Sequence, residues 1–311
     1  MILNTGSRTD IPAFYSDWFY KRIEAGYVLS RNPYYPTQIT KYLLNPEVID
    51  VMIFCTKNPL PMLDRISLLS AFDMFWFVTI TPYEKEIEPF VPPKELVIKS
   101  FQRLSKLIGR ERISWRYDPI FVTDTYSIDY HIEQFRQMAK SLSGYTEQCV
   151  VSFIDLYEKT KRNFSGIHSV TNTEQAKLVA AFSGIAKENG LQIHLCCENV
   201  GLIRENVDAD GCMSKAVLEK ALGCKLDVPR KKMAREECSC LLGADIGVYN
   251  TCPHGCLYCY ANYDTNSVME NMKLHNISSP LLIGEISEDD VIKQAEQKSL
   301  KNGQLDFFDL L

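Results

Sequence analysis

The chain has 311 residues, of which 46% are hydrophobic and 23% are charged, an ordinary composition for a globular protein. The formal net charge is −5 and there is no long run of lysine and arginine, which argues against broad electrostatic capture of a nucleic-acid backbone. No apolar stretch approaches the roughly 20 residues of a membrane helix, and the first residues lack the pattern of a signal peptide. We therefore expect a cytoplasmic protein with no membrane partner and no direct nucleic-acid partner.

Short apolar segments alternate with longer amphipathic segments along most of the chain. Near-continuous apolar runs of this length are typical of parallel strands that are buried on both faces. The predicted strands are 1–5, 49–55, 74–80, 112–117, 148–154, 192–196 and 246–250. The predicted helices are 16–25, 93–108, 128–142, 173–190 (opening with Thr173 and Glu174) and, in the C-terminal tail, 286–298.

This alternation predicts an α/β fold in which helices cover a parallel sheet. The chain length and the number of strands favour a partial or closed parallel (β/α) barrel over an open sheet. Because no segment resembles an interdomain linker, we predict a single domain over residues 1–311. Within this domain, residues 197–260 carry the cysteine clusters and residues 261–311 form a C-terminal extension that ends in LDFFDLL.

Polar turns follow most of the predicted strands. They are 5–10 (TGSRTD), 56–59 (TKNP), 81–83 (TPY), 116–119 (RYDP) and 196–199 (CCEN). Asp-Pro and Asn-Pro are common turn formers, so each turn alone carries little information. Barrel enzymes place their chemistry on the loops after the carboxyl ends of the strands, and the five turns together predict a functional site at that end.

Eleven cysteines are the unusual feature of the composition. Cys55 and Cys149 lie alone in strand-like segments, while the other nine fall between residues 196 and 259. A long chain with an odd number of cysteines and no predicted signal peptide argues against a disulfide framework. Clustered thiols in a reducing compartment favour metal binding instead.

Cys252, Cys256 and Cys259 form the strongest motif, in a loop after the last predicted strand. Three thiolates at this spacing can bind three irons of a 4Fe–4S cluster and leave the fourth iron open. An open iron suits S-adenosylmethionine (SAM), whose amino and carboxylate groups chelate it, and Tyr258 would pack beside the adenine. A zinc site remains an alternative, because Cys-x-x-Cys pairs are common in such sites and His254 can supply a fourth ligand. A loop of free or redox-active thiols is a third interpretation.

This loop resembles the cluster motif of the radical SAM superfamily, and other landmarks are similar to its spore-photoproduct-lyase-like branch. The matching turns are Thr9-Asp10-Ile11-Pro12, Thr56-Lys57-Asn58-Pro59 and Arg116-Tyr117-Asp118-Pro119. In that superfamily the cysteine loop follows the first strand, whereas here it comes near the C-terminus. The resemblance therefore implies a circularly permuted barrel, in which the strand at 246–250 lies beside the strand at 1–5.

A smaller group with this permuted order, long labelled a domain of unknown function, resembles the chain over nearly its whole length. The matching segments are 7–15 (SRTDIPAFY), 115–120 (WRYDPI) and 245–252 (DIGVYNTC). One activity assigned within the group is queuine lyase, which releases aminomethyl-deazaguanine from the modified tRNA base queuine. The resemblance thus implies a radical SAM lyase of queuosine salvage, with a small nucleobase-like substrate and a reducing partner such as flavodoxin or ferredoxin.

The resemblance also implies a second set of metal ligands, at Cys197, Cys212, Cys238 and Cys240. Four thiolates can ligate every iron of an auxiliary 4Fe–4S cluster, and a tetrahedral zinc site would use the same ligands. Cys196 is expected to point into the sheet, because neighbouring residues of a strand face opposite sides. Cys224 is expected to pack as a small hydrophobic side chain.

Polar side chains at the predicted mouth of the barrel are the candidate binding residues. The predicted rim of the cavity consists of Arg8, Asp10, Arg31, Asn32, Lys57, Arg116, Asp118 and Glu198. A buried carboxylate is costly without compensation, so the methionine carboxylate of SAM needs a cation nearby. The predicted cofactor-binding residues are Arg8, Lys57, Arg116 and Tyr258.

A guanine-like base needs a carboxylate partner, which can accept hydrogen bonds from both its ring N–H and its exocyclic amine. The predicted substrate-binding residues are Asp10, Arg31, Asn32, Asp118 and Glu198, and the predicted catalytic residues are Asp10, Lys57 and Asp118. An arginine and an aspartate at one end of a barrel can also pair only with each other. Two other functions stay open, namely a radical SAM enzyme that repairs or modifies nucleic acid and a zinc-stabilised binding module without catalysis.

Overall fold

The computed structural model describes residues 1–228, 238, 240–241 and 243–302. Its strands, in chain order, are β1 (Ile2–Asn4), β2 (Tyr27–Arg31), β3 (Gln38–Leu43), β4 (Val51–Thr56), β5 (Met74–Thr79), β6 (Ile113–Ile120), β7 (Gln148–Phe153), β8 (Gln192–Leu195), β9 (Val207–Asp208), β10 (Ala244–Asp245) and β11 (Val291–Gln294). Its α-helices are α1 (Ile11–Phe14), α2 (Ser16–Ala25), α3 (Leu60–Leu63), α4 (Lys94–Ile108), α5 (Ile128–Leu142), α6 (Glu158–Asn163), α7 (Asn172–Glu188), α8 (Lys215–Leu222) and α9 (Thr265–Lys273).

Eight of these strands form one parallel sheet, in the order β10-β1-β4-β5-β6-β7-β8-β9. Every neighbouring pair in this sheet is parallel. The predicted α/β fold with a large parallel sheet is confirmed. Because β9 and β10 are the two edges of this order, the described part of the sheet is open and not a closed barrel.

The first strand of the chain lies beside the last strand of the main sheet. Residues 3–4 of β1 pair in parallel with residues 244–245 of β10. The predicted contact between the two ends of the sequence is therefore confirmed. The strand itself was predicted at 246–250, which is wrong by two or more residues, because after β10 the backbone turns away into the cysteine loop.

The two faces of the main sheet pack against different parts of the chain. On one face, Trp76 and Trp115 belong to a large core that also contains side chains of α2, α4, α5 and α7. On the other face, Phe75 and Phe77 pack against α8 and the segment before it. This division follows from the alternation of side chains along a strand. It places α8 and several cysteines on the second face.

The long helices were predicted well from their apolar period, and α2, α4, α5 and α7 confirm the four predicted ones before the cysteine loop. The start of α7 differs in detail. Thr171, and not Thr173, is the N-cap, and it forms a reciprocal capping box with Glu174. The predicted start was therefore close, with the capping residue two positions earlier.

A second, small sheet was not predicted. The strands β2 and β3 form an antiparallel hairpin, and β11 adds to β3 in parallel. The predicted helix at 286–298 is wrong, because residues 291–294 of this segment extend along β3. Backbone pairing with an available edge strand outweighs the helical spacing of this segment.

Some predictions fall on residues outside the described ranges. The C-terminal LDFFDLL and parts of the segment 229–242 lie there, so the bounds predicted for the cysteine region and the C-terminal extension are described only in part. In the part of the chain that is described, no helix combines the length and the apolar character needed to cross a bilayer.

Candidate functional site

A cavity of about 380 Å³ lies at the carboxyl ends of the parallel strands. Residues that end or directly follow strands line it, among them Thr56 and Lys57 after β4, Asp118 in β6 and Glu198 after β8. Cys252, Cys256, Tyr258 and Cys259 also line it. The predicted location of the site, on the loops after the strand ends, is the location of this cavity.

The cysteine loop begins at a buried, hydrogen-bonded threonine. The hydroxyl of Thr251 donates to Thr9 Oγ1 over 2.7 Å, and its carbonyl accepts a hydrogen bond from the Tyr15 hydroxyl over 2.5 Å. One residue later, the carbonyl of Cys252 accepts from Asn262 Nδ2 over 2.7 Å. The start of the loop is therefore fastened both to the N-terminal turn and to the residues that follow the motif.

The middle of the loop is braced by the segment that follows β5. The backbone N–H of Phe90 donates to the His254 carbonyl over 3.1 Å, and Leu257 N–H donates to the Ile87 carbonyl over 3.1 Å. Between these bonds Gly255 has a φ of +71°, which favours glycine, and a Cβ there would lie 3.1 Å from the ring of Phe90. A side chain at this position would therefore meet a left-handed backbone conformation and would require the ring of Phe90 to shift.

The three thiols form a donor set that suits a soft, positively charged group. Burial raises the pKa of Cys252 and Cys259, and it raises the pKa of Cys256 to about 12. Buried thiolates need a nearby cation, and an iron–sulfur centre supplies one directly. Among the described residues, no three His, Cys, Asp or Glu side chains are grouped closely enough to hold a single metal ion. Thiols are the ligands that iron–sulfur clusters take, so the type of donor is compatible with the predicted cluster.

Asp10 connects three segments around the cavity. Its Oδ1 caps α1 by accepting from Ala13 N–H over 3.0 Å, and its Oδ2 accepts from Lys57 N–H over 2.8 Å. The same Oδ2 lies 2.9 Å from His254 Nε2. Asp10 is buried, so these contacts occupy both carboxylate oxygens. They also engage Nε2 of His254. If His254 were a zinc ligand, it would therefore bind through Nδ1.

Sequence reasoning missed Glu88, a buried carboxylate beside the cysteine loop. Lys57 Nζ donates to Glu88 Oε1 over 2.8 Å, and Thr81 Oγ1 donates to the same oxygen over 2.5 Å. Lys94 and the Tyr258 hydroxyl also donate to this carboxylate. A single glutamate in a loop of prolines and acids belongs to no recognisable motif, so the sequence alone does not reveal it. In the structure it accepts hydrogen bonds from two lysines and a tyrosine and thereby joins them in one network.

The charges of this network explain its pKa values. Burial raises the pKa of Glu88, but Lys57 and Lys94 outweigh burial and bring that pKa down to about 2. Burial lowers the pKa of Lys57, and Glu88 more than offsets the effect, so that pKa is raised. With two lysines and one glutamate, the network keeps one positive charge, and Lys57 lies with its Nζ 5.5 Å from the centre of the Tyr258 ring.

Arg116 and Asp118, both in β6, form an ion pair. Arg116 Nε and Nη2 donate to Asp118 Oδ2 over 3.1 Å and 2.6 Å. The hydroxyl of Ser152 donates to the other oxygen of Asp118. Both charged residues line the cavity. The pairing alternative considered from the sequence is thus present, and the predicted binding roles of these residues stay predictions.

Glu198 also lines the cavity, directly after β8. Its Oε1 accepts a hydrogen bond from Phe153 N–H over 2.7 Å. Burial, with Asp155, Cys196 and Asp118 as further contributors, raises the pKa of Glu198 to about 8. A carboxyl group with that pKa is mostly protonated at neutral pH and can then donate a hydrogen bond.

Three predicted rim residues lie away from the cavity wall. Arg8 contacts Asp245, with Nε 3.4 Å from Oδ1, and stands over the ring of Tyr249. Arg31 ends β2 and pairs with Asp290, while the side chain of Asn32 accepts backbone N–H groups of the following turn. Arg31 and Asn32 lie at the small sheet that was not predicted and are not among the residues that line the cavity, and their predicted binding roles stay predictions.

Most of the other cysteines gather on the second face of the main sheet, whereas Cys149 lies in the core on the first face. Cys212 Sγ lies 3.8 Å from Cys196 Sγ and 3.4 Å from Cys240 Sγ. Cys238 hydrogen-bonds to Cys240, and Cys197 to Cys196. The four predicted auxiliary ligands therefore do lie in one region, and Cys196, which was expected to point into the sheet, lies among them.

Comparison with known protein families places the chain in one of them. A family model described as a domain of unknown function, DUF1848, matches residues 2–261. The chain belongs to the DUF1848 family. No curated protein and no solved structure matches it.

The match to DUF1848 covers the whole main sheet and every residue that lines the cavity, from Gly6 to Ala261. It leaves out α9 and β11, which follow the cysteine loop. The DUF1848 segment is therefore the part of the chain that contains the candidate site, and the small sheet is completed from outside it.

Proposed function

We propose that this DUF1848 protein is a radical SAM enzyme in which Cys252, Cys256 and Cys259 hold a 4Fe–4S cluster with one open iron. The observation that carries the proposal is that these three thiols line one cavity at the carboxyl ends of a parallel sheet. The pairing of β10 with β1 supports it further, because the cysteine loop thereby follows a strand that is next to the first strand. When bound, the cluster supplies the electron that cleaves SAM to a 5′-deoxyadenosyl radical.

The chain's own residues would hold SAM through the network around Glu88. Lys57 carries a positive charge at the cavity wall, where the methionine carboxylate of SAM needs a cation. Glu88 fixes the positions of the Lys57 ammonium and of the Tyr258 hydroxyl. The ring of Tyr258 lies near Lys57 and near the ring of Tyr83. It lines the cavity and offers a flat surface to the adenine.

The substrate that we propose is queuine, from which the enzyme would release aminomethyl-deazaguanine by cleaving a carbon–nitrogen bond. Asp118 supports this, because it lines the cavity and a carboxylate can accept hydrogen bonds from the ring N–H and the exocyclic amine of a guanine-like base. Glu198 also lines the cavity, and in its protonated form it would donate a hydrogen bond to an acceptor atom of the base. Asp10, whose two oxygens hold backbone and imidazole groups, acts as a positioning residue. The cavity volume of about 380 Å³ falls within the range of small-molecule sites.

The test is an anaerobic reaction of reconstituted and reduced protein with SAM and queuine. Formation of 5′-deoxyadenosine together with aminomethyl-deazaguanine is the expected result. Deoxyadenosine without base cleavage would keep the radical SAM class and reject queuine, in which case tRNA that carries the modified base is the next substrate to test. Zinc in place of iron at the three thiols would reject the class and favour a zinc-stabilised binding module.

A further inference from the structure

The cavity has a second aromatic surface, at its mouth, where partly exposed side chains line it. Tyr157 and Tyr260 both line the cavity, and their ring centres lie 6.5 Å apart with the ring planes inclined by 51°. The exposed fraction is 39% for Tyr157 and 51% for Tyr260. Tyr258, the ring proposed to face the adenine, is less exposed, and its hydroxyl donates to Glu88. The proposed binding of SAM therefore leaves the pair at the mouth unused.

Tyr260 is held at both ends. Its backbone directly follows Cys259 in the cysteine loop, and its hydroxyl donates to the carbonyl of Ser7, in the turn after β1. Its own carbonyl accepts a hydrogen bond from Lys159 Nζ over 3.3 Å. Because Ser7 and Cys259 also line the cavity, these contacts fix the ring of Tyr260 along the cavity wall.

Tyr157 is positioned by the segment that follows β7. It is the N-cap residue of α6, and its hydroxyl donates to Asp155 Oδ2 over 3.1 Å. Asp155 lines the cavity as well, together with Ser152 of β7. A planar molecule lying against the Tyr157 ring would thus have a carboxylate near its edge, and a carboxylate accepts hydrogen bonds from ring N–H groups.

Ordinary packing does not account for this pair of rings. In the described part of the chain, neither Tyr157 nor Tyr260 belongs to an apolar cluster, whereas Tyr258 packs in one with Tyr83 and Phe121. A single exposed aromatic residue needs no explanation. Two adjacent rings that are fixed through their hydroxyls and partly open at a cavity are typical of a surface that stacks a planar ligand.

We propose that Tyr157 and Tyr260 form a stacking subsite that binds the planar heterocycle of the substrate at the mouth of the cavity, with Asp155 facing its ring N–H groups. The inclination of the two rings suits this, because aromatic rings contact each other favourably both face to face with an offset and edge to face. The inference deepens the proposed function and rests on it only for the identity of the heterocycle. Tyr258 would then serve the adenine of SAM, and the pair at the mouth would serve the substrate.

The test measures the dissociation constants of queuine and of guanine, a second planar probe, by isothermal titration calorimetry. Full-length reconstituted protein is used without reductant, so that no cleavage occurs. Tyr157→Ala and Tyr260→Ala should each weaken binding about 10-fold, or about 1.4 kcal/mol, which is within the range for stacking of a base on an aromatic side chain. Urea unfolding of each variant, with a midpoint expected to match that of the parent, shows that the fold is intact.

Two kinds of control separate stacking from other effects. Tyr157→Phe and Tyr260→Phe keep the rings and remove the hydroxyls, so binding should stay within about threefold of the parent. Tyr263→Ala removes another partly exposed tyrosine of the same segment, one that lies under the Arg162 guanidinium and is not among the residues that line the cavity. It should leave the dissociation constants unchanged.

Unchanged affinity in both alanine variants would overturn the proposal, and so would a parent protein that binds neither base. Equal losses in the phenylalanine variants would also overturn it, because contacts of the hydroxyls would then explain the binding. The proposed function is read separately, from 5′-deoxyadenosine formed by the reduced protein with SAM. Ring-dependent binding without this product would keep the subsite and reject the radical SAM class. The product together with an affinity that ignores both rings would do the reverse.

Discussion

The two groups of cysteines are held by different means. Cys252, Cys256 and Cys259 lie within eight residues, and hydrogen bonds from Tyr15, Phe90 and the following residues hold that short loop. The second group is assembled from a strand end, a segment before α8 and residues 238–240, and it owes its geometry to the packing of the whole sheet. A contiguous motif can therefore be recognised from spacing alone, whereas the membership of a dispersed site requires the fold.

The largest expected effect concerns the first group, and Cys224, a thiol that belongs to neither group, serves as the control. Replacing Cys256 with alanine should reduce SAM cleavage by more than about 100-fold, because the cluster loses one of only three protein ligands. Cys224→Ala, which removes a thiol from the core on the second face, should change the rate by less than about twofold. The measurement is the yield of 5′-deoxyadenosine from anaerobically reduced protein. Equal losses in the two variants would mean that the loop has no special role.

Stability should depend strongly on the buried charge beside the first group. Glu88→Gln leaves Lys57 and Lys94 without their carboxylate, and the free energy of unfolding should fall by about 3–5 kcal/mol. The matched change Glu174→Gln, at the exposed cap of α7, should cost about 1 kcal/mol or less. Urea unfolding of both variants measures the difference. A similar cost for the two would show that Glu88 does not neutralise buried lysines.

The free energy of unfolding should depend on pH through His131, a buried residue of α5. Burial lowers the pKa of His131 to about 4 from its usual 6.5, while its ring nitrogens contact the Tyr117 hydroxyl and the Phe121 carbonyl over 2.8 Å. Because only the unfolded chain binds the proton between these values, the contribution of His131 is complete above pH 6.5. It is lost as the pH falls toward 4, by about 3 kcal/mol.

Urea unfolding at pH 7 and at pH 5 tests this expectation, with His131→Gln as the comparison. The variant should be less stable at pH 7 and should lose less stability than the parent on acidification. An identical pH dependence in both proteins would assign the loss to other groups.

The smallest effect concerns how tightly the loop packs. Gly255→Ala places a Cβ 3.1 Å from Phe90 at a φ of +71°, whereas Gly144→Ala meets a φ of +81° with nothing within 4 Å. Both variants carry the cost of a left-handed residue, about 1–2 kcal/mol, and Gly255→Ala should cost about 1 kcal/mol more. Thermal unfolding compares the two. If Gly144→Ala were the more damaging change, the contact between the loop and Phe90 would not contribute to stability.

Much of the central fold could be predicted because its elements have strong local patterns. The apolar runs that became β4, β5 and β7 and the periodic segments that became α4 and α5 each match one element closely. The small sheet could not be predicted in this way. Its strands are partly exposed, and β11 is strand only because β3 offers it an edge.

The candidate site divides along the same line. Lys57, Asp118 and Glu198 were recognisable because turns after successive strands converge at one end of a parallel sheet. The three loop cysteines were recognisable from their spacing. Glu88 and the sulfur contact of Cys196 were not, because they arise from contacts between residues distant in the sequence. Arg31, which was predicted at the rim, ends a strand of a hairpin that was not predicted.

Electron paramagnetic resonance of the anaerobically reduced protein, with and without SAM, tests the central claim most directly. An iron left open by Cys252, Cys256 and Cys259 predicts a 4Fe–4S signal that changes when SAM is added, and this SAM-responsive signal should be absent in the Cys256→Ala variant. A reduced protein whose signal ignores SAM, or one that holds zinc at these three thiols, would contradict it.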